Sequence, residues 1–196
     1  MSAEIDLGAY RQWATHDLLE PTERGRIAEY MVGSALGCLG DGRRPGRPYH
    51  FETGYGCRID VRSSSRVQSW GERTVHRRNA ATVLFNIAGA SPWWDRATGR
   101  YVEGTRSRWS DVHVCALLDH TDRATANPAS PDQWRFWVLP THTVTAHLGL
   151  NRSTASTARL ERLGAVVGSW VELPELVRAT WHALNADGTG QHRAAG

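Results

Sequence analysis

Lysine is missing from this sequence: every one of the 23 Lys+Arg positions is an arginine. The absence removes the amine that could serve as a Schiff-base former, a nucleophile or a tunable proton carrier. The positive surface is built from guanidinium forks, which suit phosphate and carboxylate. A GC-rich genome produces the same bias whatever the function, so arginine usage alone names no partner. Cysteine is scarce. Cys38, Cys57 and Cys115 are widely spaced and form no C-x-x-C pair, which argues against a structural zinc site or a disulfide framework. Cys57 and Cys115 lie in apolar, strand-like runs and read as small core residues. No apolar run approaches the ~20 residues of a membrane span. The charged start MSAEIDLGAYRQW lacks the apolar segment of a signal peptide. A cytoplasmic protein with no membrane partner is therefore expected. G-x-G-x-x-G and G-x-x-x-x-G-K-[ST] are absent, so nucleotide-cofactor and P-loop chemistry has no support. Ser63 to Ser65 lacks a nucleophile elbow. Nine histidines offer neither H-x-H nor H-E-x-x-H; His113, His142 and His147 read as core or surface residues, the last two across a turn.

What is present suits one domain. The chain has 196 residues, 40% of them hydrophobic, 22% charged, with a formal net charge of +3. That is enough for one real core and too apolar for wholesale disorder. Residues 1–21 read as an N-terminal extension with a short amphipathic piece around Tyr10 to Leu19, 22–184 as the domain, and 185–196 as a disordered tail. Thr22 is the expected cap of a helix from Glu23 to Leu36, whose apolar stripe is Ile27, Ala28, Met31, Val32, Ala35 and Leu36. Gly40 to Pro48 is a basic turn. Strands are expected at Tyr49 to Thr53, from Cys57, around Thr82 to Ile87, at Asp111 to Leu118 and at Gln133 to Leu139. Gly89 to Arg108, with Trp93 and Trp94, reads as a long loop. Helical periodicity returns over Ser153 to Leu163 and Leu173 to Leu184. The order gives an α/β fold with a mixed β-sheet flanked by helices.

The chemistry concentrates in Tyr55 to Trp70, YGCRIDVRSSSRVQSW. Alternation sends Cys57, Ile59 and Val61 to one face and Arg58, Asp60 and Arg62 to the other. Phosphodiester cleavage by a divalent metal needs two or three carboxylates around the ion and a cation nearby. Asp60, Glu52 from the preceding hairpin strand and Glu29 from the helix could supply the acids, with Arg62 as the cation. The competing reading makes Asp60 and Arg62 a same-face ion pair, with Glu52 and Glu29 ordinary surface charges. Arg73, Arg77, Arg78, Arg106 and Arg108 could line a phosphate groove with Trp93 and Trp94 stacking on bases, or form a solvated face beside a core aromatic pair.

The succession GRIAEYMVGSALG, RIDVRSSSRVQSW, SDVHVCALLDH and PDQWRFWVLPT, spanning Thr22 to Thr141, resembles the PD-(D/E)XK, or restriction-endonuclease-like, superfamily, and within it small bacterial members. The resemblance implies a restriction-endonuclease-like core of four-stranded mixed sheet flanked by helices, Mg²⁺ as usual cofactor and DNA as usual substrate; separately, a homodimer is the candidate assembly. Asp60 takes the second-acid position, Arg62 the lysine position and Glu29 that of the helix glutamate. The first-acid position, usually aspartate, falls on His50 or Glu52. Glu52, Asp60, Arg62 and Glu29 are then the expected catalytic set, with Glu52, Asp60 and Glu29 as metal ligands. Arg43, Arg44, Arg66, Gln68, Arg77 and Arg78 are the expected DNA contacts. Arginine stays charged and is a poor proton acceptor where lysine can exchange a proton. The site is thus either a deoxyribonuclease with unusual ligands or a degenerate one, leaving a protein that binds DNA or a partner in a restriction, defence or DNA-processing system.

Overall fold

The computed structural model describes residues 5–40, 42–43, 47–67, 69, 83–90, 93–95, 99–102, 104 and 106–186, with the backbone path alone for 93–95 and 101–102. Along it run α1 (Leu7–Ala14), α2 (Pro21–Ala35), β1 (Phe51–Glu52), β2 (Arg58–Ser65), β3 (Leu84–Asn86), β4 (Trp93–Asp95) and β5 (Arg100–Val102). There follow β6 (Val112–Leu118), β7 (Trp134–Pro140), α3 (Thr141–Leu148), β8 (Thr154–Ser156), α4 (Thr157–Arg162), β9 (Val166–Gly168) and α5 (Leu173–Ala186). The central sheet is mixed and five-stranded, in the order β1-β2-β6-β7-β9. β2 and β6 are parallel; the other pairs are antiparallel.

Strand alternation divides the interior in two. Ile59, Val61, Val112, Val114 and Phe136 face α2 and α5, where Ala28, Met31, Val32, Val177 and Leu184 meet them. Cys115, Leu117, Trp137 and Leu139 point to the opposite layer, against Phe85, Ile87, Val144, Leu148 and Leu160. With both faces covered, β6 is buried at every position, as its text, apolar but for His113, leads one to expect. Trp170 Nε1 donates to the Met31 carbonyl at 2.8 Å and ties the approach to α5 onto α2.

The β1–β2 hairpin closes through Thr53 to Gly56. Gly56 N–H donates to Thr53 O at 2.9 Å, and its φ of 84° is one that glycine adopts without strain. Two ion pairs mark the ends of the parallel β2–β6 pair. Arg58 clasps Asp111 with its backbone N–H, Nε and Nη2 at 2.8, 3.0 and 2.8 Å. Arg66 Nε reaches Asp119 at the other end.

Several local expectations are corrected. Glu20, not Thr22, caps α2: its carboxylate accepts from the Thr22 and Glu23 amides. Pro21 suits the first helical position because it has no amide to satisfy, and the cap falls two residues earlier than expected. Thr154–Ser156 pair with Leu84–Asn86 as a strand, so α4 begins only at Thr157, with Ser156 Oγ capping it. His142 and His147 share α3 and do not flank a turn. Gly89 to Arg108 contains the β4–β5 hairpin. The Arg73 to Arg78 run and the tail from 187 onward lie outside the described residues.

Candidate functional site

The site forms where the β1–β2 hairpin runs out. β1 ends its backbone pairing with His50 N–H donating to Ile59 O at 2.8 Å. The next inward amide, Val61 N–H, finds the His50 ring: Nδ1 lies 3.0 Å from it. In its neutral tautomer the imidazole fills the place of a further ladder bond. From there it bridges two acids. Nδ1 lies 3.0 Å from Asp60 Oδ1, and Nε2 lies 3.4 Å from Glu29 Oε1, which α2 carries to the hairpin edge.

Each acid has a second cation. Arg62 Nε donates to Asp60 Oδ2 at 2.6 Å, joining residues two apart on one strand face. Arg43 grips Glu29 with Nε and Nη2, at 2.5 and 2.9 Å. Register places His113 of β6 beside Asp60, with Nε2 3.5 Å from Asp60 Oδ2. The other ring nitrogen of His113 sits 2.7 Å from Thr141 Oγ1 and 3.2 Å from Ser110 Oγ, and those hydroxyls are 2.9 Å apart. Asp60, His113, Ser110 and Thr141 are all buried.

The electrostatics follow. Burial disfavours the His50 imidazolium, but hydrogen bonds and charge from Asp60 and Glu29 outweigh it and raise its pKa to about 9. Burial likewise pushes the Asp60 and Glu29 carboxyls up. For Asp60 the hydrogen bond from His50 and the charge of Arg62 win; for Glu29 hydrogen bonds from His50 and Arg43 win; both fall to about 2. His113, with burial as the chief cause, is lowered to about 4 and is neutral at pH 7. Nδ1 of His50 cannot both accept from Val61 and donate to Asp60. Two flanking carboxylates favour the protonated ring, at the cost of the Val61 bond. In the neutral tautomer Asp60 Oδ1 has no donor, and it and His113 Nε2 are buried without hydrogen-bond partners.

The structure therefore brings Glu29, Asp60 and Arg62 together, with His50 between the acids. Glu52 stands opposite Arg58 and accepts from Tyr49 Oη at 3.3 Å; it makes no hydrogen bond or ion pair with Asp60 or Glu29. Of the expected DNA contacts, Arg43 is committed to Glu29 and Arg66 to Asp119. Arg44, Gln68, Arg77 and Arg78 lie outside the described residues. Arg108 is no phosphate ligand. It is buried, and its guanidinium is spent on the carbonyls of Ile87, Gly149 and Arg152 and on Thr145 Oγ1. Arg106 bonds the Gly89 carbonyl. His113 was hidden in the sequence as one polar letter in DVHVCALL; strand pairing, which periodicity does not specify, sets it beside Asp60.

The residues do not fit Mg²⁺. That ion asks for carboxylate and water oxygens in near-octahedral array. Here two acids are already shared among His50, Arg43 and Arg62. Among the described residues no group of three His, Cys, Asp or Glu side chains converges as a metal site would require. No described helix is long and apolar enough to cross a membrane. The chain matches no protein-family model and no curated protein.

Proposed function

We propose that this protein has a restriction-endonuclease-like fold and binds DNA without cleaving it. The observation that carries this reading is His50. It occupies the neighbourhood of Asp60 where the resemblance calls for a first acid, and bridges Asp60 and Glu29 at 3.0 and 3.4 Å. A divalent cation there would meet an imidazolium and two guanidinium groups before it met a free carboxylate. The same cations, on a chain of net positive charge, favour a polyanion. Arginine forks hold phosphate oxygens in pairs, and such binding weakens steeply with salt.

The test uses the purified chain with duplex, single-stranded and branched DNA. The expected result is binding that falls steeply between low and moderate salt, no cleavage with Mg²⁺ or Mn²⁺, and retention of binding by Asp60→Asn. Cleavage by the wild type that Asp60→Asn abolishes would establish the second reading, a metal-dependent deoxyribonuclease. That reading draws support from His113 Nε2, which is buried beside Asp60 without a hydrogen-bond partner. Absence of any DNA binding at low salt would overturn both and leave an interaction protein.

A further inference from the structure

A cleft of about 770 Å³ opens between α2 and the hairpin edge, on the outer side of Glu29 and His50. Its size falls within the ~300–1,000 Å³ of typical small-molecule sites. Ile27, Leu39 and Phe51 give it an apolar lining. Tyr30, on the α2 rim, has 63% of its surface exposed, unusual for a ring that lines a concavity.

The charges in the cleft are unequally committed. Glu29 is neutralised by Arg43 and His50. Glu52 accepts from Tyr49, another lining residue. Arg47 makes no hydrogen bond or ion pair among the described residues, although it lies close enough to Tyr49 for its charge to favour the phenolate. Arg43 is half exposed and shares Glu29 with His50, so it can turn outward without leaving that acid unpaired. The cleft thus offers a guanidinium uncommitted among the described residues, a second that can be released, an apolar wall and an exposed aromatic ring. A planar heterocycle joined to a phosphate matches all four: the ring stacks on an aromatic face while the phosphate takes a guanidinium fork. An acidic peptide would leave the ring and the apolar wall unused. A neutral apolar ligand would leave Arg47 unanswered.

We propose that this cleft holds one nucleotide of a DNA strand, with its base on Tyr30 and its phosphate on Arg47 and Arg43. The proposal rests on the DNA-binding reading and deepens it: a strand end or an unpaired nucleotide is recognised beside the His50 bridge, and continuous duplex is not. Tyr30 and Arg47 lie outside the cluster that holds the hairpin, so their replacement tests the cleft without disturbing the fold.

The experiment measures binding of dAMP, deoxyadenosine and inorganic phosphate by calorimetry. In parallel it measures binding of a single-stranded oligonucleotide and a closed, nick-free duplex circle. Wild type, Tyr30→Ala and Arg47→Ala are compared, with circular dichroism confirming folding. The expected result is that dAMP binds more tightly than deoxyadenosine or phosphate. The single strand should bind more tightly than the circle, and each substitution should weaken both dAMP and the single strand about tenfold, as loss of one stacked base does. If both DNA forms bind equally and neither substitution matters, the cleft assignment falls while the DNA-binding reading stands. If dAMP binds and no DNA does, the DNA-binding reading falls and takes the strand assignment with it.

Discussion

His50, just ahead of β1, and Asp60 of β2 lie with Nδ1 and Oδ1 3.0 Å apart, and the same ring reaches Glu29 with its other nitrogen. One titratable group therefore couples α2 to β2, and its protonation state has a measurable effect on stability.

The pH dependence has a definite direction. His50 is raised to about 9, so its contribution is complete below the ordinary histidine pKa near 6.5 and is lost as pH rises through about 9. Asp60 and Glu29 are lowered to about 2, so theirs is complete above the ordinary carboxylate range and is lost as pH falls toward 2. His113, lowered to about 4, also costs stability as pH falls below 6.5, because the unfolded chain takes up the proton first. Urea unfolding across pH should peak near 6.5 and fall on both sides. In His50→Ala the alkaline fall through pH 9 should be reduced.

Asp60→Asn removes the charge that faces Arg62 and His50. The imidazole of His50 should then titrate below about 9, toward 6.5, in an NMR pH series. Asp60→Ala also removes the acceptor and should cost ~3–5 kcal/mol, the usual result of breaking a buried ion pair.

Arg108→Met should destabilise the fold. It takes the guanidinium donor from the carbonyls of Ile87, Gly149 and Arg152, each now bonded at 2.8–3.1 Å. Ile87 is buried, so its unsatisfied carbonyl alone should cost ~1–3 kcal/mol in denaturant unfolding; Gly149 and Arg152 are exposed, and their carbonyls can turn to water. Arg108→Lys should recover only part, since one ammonium cannot span the fork's reach.

Gly33→Ala tests how tightly α2 lies on the hairpin. A Cβ there would come 2.7 Å from both the Phe51 ring and Leu39 Cδ2. Overpacking of ~1–3 kcal/mol should outweigh the ~1 kcal/mol helix-propensity gain. Thermal unfolding should show a lower Tm despite the better helix former.

The layered α/β architecture could be read from the text because its signals are local. Apolar letters at helical spacing from Ile27 to Leu36 gave α2, and the nearly continuous apolar run in DVHVCALL gave β6. The cluster around Asp60 was half legible. Alternation puts Asp60 and Arg62 on one face, so their ion pair could be anticipated. It puts His50 and Glu52 on one face as well, and the span of the Thr53–Gly56 turn decides which stands next to Asp60. Pairing of Asp60 with His113 depends on long-range register, which no local pattern encodes. Arg108 misled because an arginine near other arginines looks solvated, and only the packed backbone carbonyls around it reveal otherwise. Thr154–Ser156 misled because a helical stripe in Leu160 and Leu163 continued past a short strand that exists to pair with Leu84–Asn86.

The two ion pairs that bracket β2 and β6 share one sequence offset: Arg58 and Asp111 are 53 positions apart, as are Arg66 and Asp119. A parallel pair of this kind rewards the chain only after the whole segment from Arg66 to Asp111 has closed into a loop, an entropic delay that slows folding. During that delay the strands can meet one residue out of step. Equal offsets mean that such a slip displaces both clasps at once, so each pair favours the same register that the strand pairing shows. The two clasps therefore reward one alignment from both ends of the strands.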